Sequence, residues 1–230
     1  MDFASIKSID IPEGTAVGIA INGEPIWSGG GGGDEPEVLL SWEHVLWSIE
    51  NNSYNTDYSI GDLIPLDLGT EGNINMQIAG FDVDDLADGT GKAHISFVAK
   101  ELLTTRKTIG TSTTSSWEES PLRSYLDTTI KPMIRDDVRQ KIVQVKKDMY
   151  YPEGYTNDYV WIPGYSEVVG STAIYYDLFP DKTSKAKGYS WWLRRAYTLA
   201  GKFTYIKADG SYSANSAATN SYGVCLGFCL

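Results

Sequence analysis

Residues 191–230 read WWLRRAYTLAGKFTYIKADGSYSANSAATNSYGVCLGFCL. The stretch opens with a bulky apolar block ending in arginine, Trp191–Arg194, and closes with an apolar run, Gly223–Leu230. Between them, Ala196–Tyr222 is rich in Ala, Tyr, Ser, Thr, Asn and Gly, and its only charged residues are Lys202, Lys207 and Asp209. Tyr provides stiff contact area and Ser, Asn and Gly provide adaptable hydrogen bonding, as in antibody binding loops. The composition favours a recognition surface held between two apolar anchors, with an ordinary polar surface loop as the alternative.

The predicted recognition surface runs from Arg195 to Tyr222. Tyrosines would make the aromatic contacts, and Ser and Asn side chains the polar ones. For Tyr222 and Phe203, packing in the core is an equal alternative. We expect Arg194 to pair with a buried carboxylate or a backbone carbonyl, and Arg195 to be the exposed arginine. The candidate ligand-binding residues are Arg195, Tyr197, Leu199, Thr204, Tyr205, Asp209, Tyr212, Ser213, Asn215, Ser216, Asn220 and Tyr222.

The overall composition excludes several classes of partner. The formal net charge of the 230 residues is -11, whereas nucleic-acid binding needs clustered Lys and Arg. No apolar run approaches the roughly 20 residues of a membrane helix, so we expect no membrane insertion. The sequence at Met1–Ser5 lacks a basic region followed by an apolar run, and we expect no secretory signal.

The N-terminal segment is predicted to be a small β module over residues 1–28. Apolar residues alternate through Ile6–Trp27, and Asn22-Gly23 is a strong hairpin-turn signal. Two or three strands are too few to be stable alone, so the module should pack on the main domain, trimerise or dock into a partner. Five consecutive glycines, Gly29–Gly33, predict a flexible linker over residues 29–37. The main domain is then residues 38–230.

Within the main domain, short helices and strands alternate with long loops, which predicts an α+β fold with a mostly antiparallel sheet. Ser41 is a plausible N-cap for a helix ending at Glu50, and Ser120 followed by Pro121 opens another. A further short helix is predicted over Arg135–Gln140. Strands are predicted over Asp62–Leu68, Asn75–Val83, Ala93–Ala99, Lys100–Leu103, Lys141–Tyr150, Tyr159–Ile162 and Gly223–Leu230.

The residues that usually carry catalysis or bind metals form no convincing set. The two histidines, His44 and His94, fall on a predicted helix and a predicted strand, and neither is assigned a role. In a strand, Cys225 and Cys229 would lie roughly 13 Å apart, too far for a disulfide, so both are predicted to be core residues. The acidic stretch Asp82–Gly89 lacks the glycine and glutamate positions of a calcium loop, and a solvated acidic turn is favoured. We therefore predict no catalytic residues, metal or cofactor.

Four blocks of the main domain carry a family resemblance. Trp117–Leu126 (WEESPLRSYL) is similar to a W-x-x-S-x-L-R-x-x-L block, and Tyr159–Val168 (YVWIPGYSEV) to an aromatic-apolar strand followed by Ser, Glu and an apolar residue. Trp192-Leu193-Arg194 and Gly223–Phe228 complete the set. Together, over residues 39–230, they resemble a domain of gut-bacterial and phage proteins with a C-type-lectin-like fold. The Ile6–Trp27 piece separately resembles the β module of phage tail and tail-fibre proteins.

Some members of the resembled family are variable proteins of diversity-generating retroelements, in which adenines of a template are mutagenised. That resemblance implies a diversified segment over residues 194–222 on a fixed scaffold. Ala, Ser, Thr, Tyr, Asn, Gly and Asp are all reachable from an Asn codon by changing adenines, whereas Lys202 and Lys207 would be template constants. The lectin signatures Glu-Pro-Asn and Trp-Asn-Asp are absent, which argues against calcium-dependent sugar binding.

The sequence and the resemblance together predict a non-enzymatic receptor-binding protein of a phage tail, or a related display protein. Its ligand would be a cell-surface protein or glycan, and its other partners would be phage tail proteins and further copies of the chain, a trimer among the options. It would reside in the virion, or in the host cytoplasm before lysis. The alternatives are a structural tail or baseplate component and a lectin-fold enzyme.

Overall fold

A computed structural model describes residues 19–21, 24–27, 41–149, 151–170 and 176–230. The chain divides into two compact units, Met1–Val38 and Leu39–Leu230. The predicted linker over residues 29–37 and the turn at Asn22-Gly23 lie outside the described residues. In the first unit, strands β1 (Ile19–Ile21) and β2 (Glu24–Trp27) pair antiparallel, with Ile21 opposite Glu24. That pairing is the one expected of a hairpin with two residues between its strands.

The second unit begins with helix α1 (Trp42–Glu50), as the capping signal predicts. The Ser41 hydroxyl accepts a hydrogen bond from the amide of His44 at 3.2 Å, which satisfies one of the free donors of the first turn. Trp42 lies on the buried face, where its Nε1 donates to the carbonyl of Pro65 at 2.7 Å. The indole ring also packs 5.2 Å from that of Phe97, which fixes the helix against the main sheet.

The main sheet contains five strands in the order β3 (Leu63–Asp67), β4 (Asn73–Phe81), β5 (Ile95–Ala99), β14 (Gly227–Cys229) and β9 (Val160–Trp161). All of its neighbouring strands pair antiparallel. The C-terminal strand β14 is thus internal to the sheet, with Phe228 opposite Phe97. At Gly227 an added Cβ would lie 2.2 Å from the ring of Trp161, so only glycine lets this strand approach the indole.

The remaining elements are short. They are helices α2 (Tyr54–Asp57), α3 (Pro121–Tyr125), α4 (Asp136–Arg139), α5 (Tyr165–Val168) and α6 (Lys182–Lys185), 3₁₀ turns at Gly69–Glu71 and Lys131–Met133, a π turn at Leu126–Ile130, and strands β6 (Lys107–Thr108), β7 (Val145–Asp148), β8 (Tyr155–Asp158), β10 (Trp191–Ala196), β11 (Lys202–Ile206), β12 (Tyr212–Ala217) and β13 (Ser221–Tyr222). Strands β7 and β8 pair antiparallel, as do β13 and β6. Strands β10, β11 and β12 form a second antiparallel sheet.

The observed architecture is α+β with mostly antiparallel sheets and short helices, as the sequence predicts at that level. Three strand predictions were wrong in detail, and in the first of them only Val145–Asp148 of the predicted range Lys141–Tyr150 forms a strand among the described residues. Lys100–Leu103 forms no strand, although the amide of Leu103 does donate to the carbonyl of Val224 at 2.9 Å. The strand predicted over Gly223–Leu230 is confined to its last part, because residues 224–226 run without ladder pairing while still being buried. In the described part of the chain, no helix has the length and apolar character needed to span a membrane.

Candidate ligand-binding surface

Both ends of the C-terminal segment are scaffold, as predicted from their apolar sequences. Trp191, Trp192 and Leu193 are fully buried, and so is every residue from Gly223 to Leu230. The two ends are also joined to each other, because the amide of Trp192 donates to the carbonyl of Gly223 at 3.2 Å. The segment between them is therefore held at both ends by the core.

Arg194 anchors the first end by charge as well as by burial. Its guanidinium donates to both carboxylate oxygens of Glu167, at 2.9 Å from Nη1 and 2.6 Å from Nη2. It also donates to the carbonyls of Ile162 and Asp148 at 2.6 and 2.9 Å. The prediction that Arg194 pairs with a buried carboxylate or carbonyl is confirmed on both counts. Planar bidentate pairing of this kind is specific to arginine.

The Arg194–Glu167 pair belongs to a larger buried network centred on Lys147. The Lys147 ammonium donates to Asp84 at 2.6 Å, to Glu167 at 3.1 Å and to the hydroxyl of Tyr176 at 2.9 Å. It also lies 3.4 Å from the centroid of the Trp161 ring, a cation–π contact. Two cations and two carboxylates thus balance each other in the core.

Burial and charge oppose each other in this network, and charge prevails. Burial would raise the pKa of Asp84, but the Lys147 charge and hydrogen bonds lower it below its ordinary value. Burial likewise opposes ionisation of Glu167, yet Arg194 and Lys147 lower its pKa. The pKa of Lys147 is raised, because Asp84 and Glu167 outweigh its desolvation. The four groups are ionised at neutral pH and act as a structural core.

The structure of this network tests two of the sequence predictions, one for Asp84 and one for the cysteines. Asp84 is 2% exposed, so the expectation of a solvated acidic turn over Asp82–Gly89 was wrong at that position. Cys225 and Cys229 are both free and buried, as predicted for core cysteines. Burial raises the pKa of each thiol, and Asp84 raises that of Cys229 further. Within the described ranges, no three His, Cys, Asp or Glu side chains are grouped so as to hold a metal ion.

The middle of the C-terminal segment folds as the β10–β11–β12 sheet. Across the three strands, one row of partners is Trp192, Tyr205 and Ser213, and the next row is Trp191, Ile206 and Tyr212. Because side chains alternate along a strand, neighbouring rows face opposite sides of the sheet. Tyr205 and Tyr212 therefore lie on opposite faces. The twelve candidate residues do not form one continuous surface.

One face carries a compact group that we call the aromatic patch, formed by Tyr205, Ser216, Asn220 and Tyr222. The rings of Tyr205 and Tyr222 lie 5.0 Å apart, and Tyr222 packs 4.5 Å from buried Trp192. The Ser216 hydroxyl donates to the Tyr222 hydroxyl at 3.1 Å, and the Asn220 amide donates to Ser216 at 2.9 Å. Ser216 itself is buried, so it positions these two side chains from below and does not face a ligand as the sequence predicted. Both tyrosines are half-buried, so each ring is positioned by the core while part of it reaches solvent. Ser213 extends this face as the strand partner of Tyr205.

The opposite face carries a second group around Tyr165 of helix α5. The ring of Tyr212 packs 5.1 Å from that of Tyr165 at a steep angle, and the guanidinium carbon of Arg195 lies 4.6 Å from the Tyr165 centroid. Arg195 is half-buried, so its exposure is smaller than the sequence prediction implies.

Three further candidates lie at the ends of the hairpins. Leu199 is 57% exposed in the turn between β10 and β11, close in sequence to half-buried Tyr197. Asp209 is exposed in the turn between β11 and β12, where it pairs with Lys182 at 2.7 Å. Since β11 has five residues, these turns lie roughly 17 Å apart along the strand. A single small ligand would not reach both.

Two candidates have local structural roles that the sequence does not reveal. Thr204 is fully buried and donates to the carbonyl of Arg195 at 3.1 Å, so its side chain is not on a ligand-accessible surface, and that assignment was wrong. Asn215 is exposed in β12 with a φ of 65°, where the register between β11 and β12 shifts. Asn is among the few non-glycine residues that tolerate this conformation, which suits a bulge.

Several residues around the site are absent from the sequence prediction. Tyr165 packs against Tyr212 on the second face. Lys107 lies opposite Tyr222 in the β13–β6 pair, and its ammonium lies 4.0 Å from the centroid of the Tyr125 ring. These neighbours come from distant parts of the chain and leave no local signal. Lys147 does leave a local signal in the sequence. It lies two residues from each of the apolar residues Val145 and Met149, and this period-two pattern indicates that all three side chains lie on the buried face of a strand.

The comparisons with known proteins place the chain in a family. The family described as "Domain of unknown function (DUF6273)" matches residues 95–230, which is more than half of the sequence. No curated protein and no solved structure matches it. The matched range includes all twelve candidate residues and the partners of Lys147 other than Asp84. The chain belongs to the DUF6273 family.

Proposed function

Taking membership of the DUF6273 family as the starting point, we propose that the chain is a non-enzymatic binding protein that presents the aromatic patch to a cell-surface protein or glycan. Its main domain would have a C-type-lectin-like fold. The protein would be part of a phage tail, and its N-terminal module would attach it to other tail proteins or to further copies of the chain. The α+β architecture with antiparallel sheets and long loops is compatible with that fold.

The observation that carries the proposal is the construction of the aromatic patch. Tyr205 and Tyr222 stand on buried Trp192, and their strands are held at both ends by the core. Rings fixed in this way lose little side-chain entropy on binding, which is why tyrosines dominate recognition surfaces. Exposed Asn220 adds a polar side chain beside the rings, and buried Ser216 holds it there by accepting a hydrogen bond from its amide.

The position of the patch also suits a diversified segment over residues 194–222. Tyr205 on β11 and Asn220 in the turn before β13 both reach solvent from a segment whose ends the core holds in place. Exchanging Asn220 would change the contact chemistry without removing a core contact, whereas exchanging Tyr205 would also remove its partial packing on Trp192. The buried members of the segment would have to remain constant; they are Arg194, Ala196, Gly201, Phe203, Thr204, Ile206, Gly210, Ser216 and Ala218.

The test is binding of the fluorescently labelled full chain to a panel of intact bacterial species, measured by flow cytometry. A Tyr205→Ser variant should lose binding to the species that the wild type recognises, while the chain stays folded and its melting temperature falls by no more than about 6 °C, the cost of the partial packing on Trp192. Tyr155→Ser is the matched control, because Tyr155 is 66% exposed on β8, outside the C-terminal segment, and its variant should bind as the wild type does. Retention of binding by Tyr205→Ser would count against the patch, and absence of binding to every species would count against a receptor-binding function.

Diversification has its own test in the surrounding genome. We expect a near-identical copy of the 3′ end of the gene close to a reverse-transcriptase gene. The two copies should differ at template adenines, and those differences should fall within codons 194–222. A genome without the repeat would exclude diversification while leaving the binding function untouched.

A further inference from the structure

A cleft of about 570 Å³ lies outside the aromatic patch and contains none of the twelve candidate residues. It is lined by Lys100, Glu101, Leu102, Leu103, Thr104, Arg106, Ala186, Lys187, Tyr189 and Gly223. The volume is in the range of small-molecule sites. Its walls come from two separate stretches of chain, residues 100–106 and 186–189, with the C-terminal strand region between them.

The floor of the cleft is built by close packing at Gly223. An added Cβ there would lie 2.4 Å from a terminal carbon of Leu102, so the Leu102 side chain packs directly against the backbone of Gly223. The amide of Gly223 donates to Ser190 at 2.8 Å, and the amide of Leu103 donates to Val224 at 2.9 Å. These bonds tie both walls to the buried segment Gly223-Val224, so the cleft is preformed.

The charge of the cleft is opposite to that of the chain. Three of its lining residues are cationic and one is acidic, whereas the whole chain carries 30 Asp and Glu against 19 Lys and Arg. The carboxylate of the single acid, Glu101, is already engaged, because it accepts hydrogen bonds from the backbone amide and the side-chain amide of Asn75, at 2.7 and 3.3 Å. A local positive potential in an acidic protein marks a place for an anion.

Arg106 is the cation best placed to bind that anion. It is exposed, and within the part of the chain that the structure describes no carboxylate forms an ion pair with it. Arg123, which lines a smaller cleft of about 320 Å³, differs in this respect, because its Nε is bonded to Asp158 at 2.6 Å. Lys187 adds charge nearby: among the residues that the structure describes, its ammonium donates to the carbonyls of Ala99 and Lys100, which uses two of its three N–H donors.

Tyr189 supplies an aromatic wall next to this charge. Its side chain is 59% exposed, and the guanidinium carbon of Arg106 lies 5.0 Å from its ring centroid. The contact orients the guanidinium while leaving its in-plane N–H donors available for a carboxylate. An exposed ring beside an oriented arginine offers an apolar surface and an anion site within the reach of one sugar ring.

We propose that this cleft binds an acidic saccharide, with the sugar carboxylate on the Arg106 guanidinium, the Lys187 ammonium contributing charge, and an apolar sugar face against Tyr189. Guanidinium–carboxylate pairing is bidentate and charge-assisted, and the aromatic ring distinguishes a sugar acid from a bare anion. The site is independent of the aromatic patch and does not rest on the function proposed above.

The test is an NMR titration of the ¹⁵N-labelled full chain with glucuronate, glucose and inorganic phosphate. Glucuronate should shift the amide signal of Gly223 saturably, whereas glucose and phosphate should bind at least about tenfold more weakly. Arg106→Gln and Tyr189→Ala should each weaken glucuronate binding at least about tenfold, the loss expected for one charge-assisted hydrogen bond or one stacking surface. Higher ionic strength should weaken it as well.

Two matched controls exclude general effects. Lys146→Gln removes the same unit of charge from an exposed position on β7, and Tyr155→Ala removes an exposed ring from β8. Both should bind glucuronate as the wild type does, and all variants should keep the wild-type spectrum away from the cleft. If glucose binds as tightly as glucuronate, the proposed role of charge is refuted. If phosphate binds as tightly as glucuronate, the proposal that the ligand is a saccharide is refuted. Unchanged binding by Arg106→Gln would overturn the site itself.

Discussion

Replacing Lys147 by methionine should destabilise the main domain more than any surface change on the same strand. Lys147 is 1% exposed and holds Asp84, Glu167 and the Tyr176 hydroxyl within 2.6–3.1 Å. Methionine keeps much of the side-chain volume but supplies neither the charge nor the donors. Among the described residues, the partners that Asp84 would then keep are neutral and include Ser96 at 2.5 Å and Tyr176 at 2.7 Å.

The magnitude follows from the charge that remains. The intact network holds two cations and two carboxylates, so the variant leaves one buried negative charge without compensation. Removing one partner of a buried ion pair typically costs about 3–5 kcal/mol, because the remaining charge stays desolvated. With a urea m value of about 2 kcal/mol/M, a cost of about 4 kcal/mol lowers the unfolding midpoint by about 2 M.

The assay is urea unfolding of the full chain followed by tryptophan fluorescence. Lys146→Met is the matched control, since Lys146 is the exposed neighbour on β7, and its midpoint should correspond to a change of no more than about 0.5 kcal/mol. Without Lys147, burial should raise the pKa of Asp84. The cost of Lys147→Met should therefore be smaller at pH 5 than at pH 7, because protonation removes the uncompensated charge. A loss below about 1 kcal/mol at pH 7, or one equal to that of the control, would refute the reasoning.

Three further outcomes are expected. Because the pKa values of Asp84 and Glu167 are lowered in the folded state, the unfolded chain takes up protons at a higher pH than the folded chain does as the solution is acidified. The urea midpoint should therefore be steady from pH 7 to pH 5 and fall below about pH 4. A midpoint that rises on acidification would contradict this. Asn215 has a φ of 65°, a conformation that glycine adopts readily and a β-branched residue does not. In the same assay, Asn215→Gly should change the free energy of unfolding by less than about 0.5 kcal/mol, whereas Asn215→Val should lower it by about 1–2 kcal/mol. Equal losses of stability would argue against the left-handed conformation. Cys225 and Cys229 should resist a thiol reagent in the native chain and react after unfolding, so rapid native labelling would contradict their burial.

Local sequence signals were sufficient for the elements that depend on local chemistry. Ser41 predicts the start of α1 through its capping hydroxyl, and Ser120 followed by Pro121 predicts the start of α3 in the same way. The apolar run at the C-terminus predicts burial of both cysteines. These features are set within a few residues, so one sequence contains the information.

Features that depend on distant partners could not be predicted in this way. Asp84 looks like part of a solvated turn until Lys147, 63 residues later, is placed against it. Thr204 has the same polar character as the exposed candidates Asn215 and Asn220, and only the folded structure shows that it is buried. The separation of Tyr205 and Tyr212 onto opposite faces depends on the register of β11 against β12. A composition-based reading cannot resolve that register, because it treats the segment as one surface.

This separation changes what a variable C-terminal segment could do. On the face of the aromatic patch, Tyr205 and Tyr222 rest on Trp192, so substitutions there alter contact chemistry above a fixed base. On the other face, Tyr212 packs against Tyr165 of a different element, and substitutions there would also change how the sheet meets helix α5. If the segment is diversified, tolerated variation should concentrate on the patch and at the exposed turn of Leu199. Sequences recovered from a library randomised at residues 195–222 and selected for folding should therefore keep an aromatic residue at 212 more often than at 205. An equal spread at both positions would show that the Tyr165 contact does not constrain the segment.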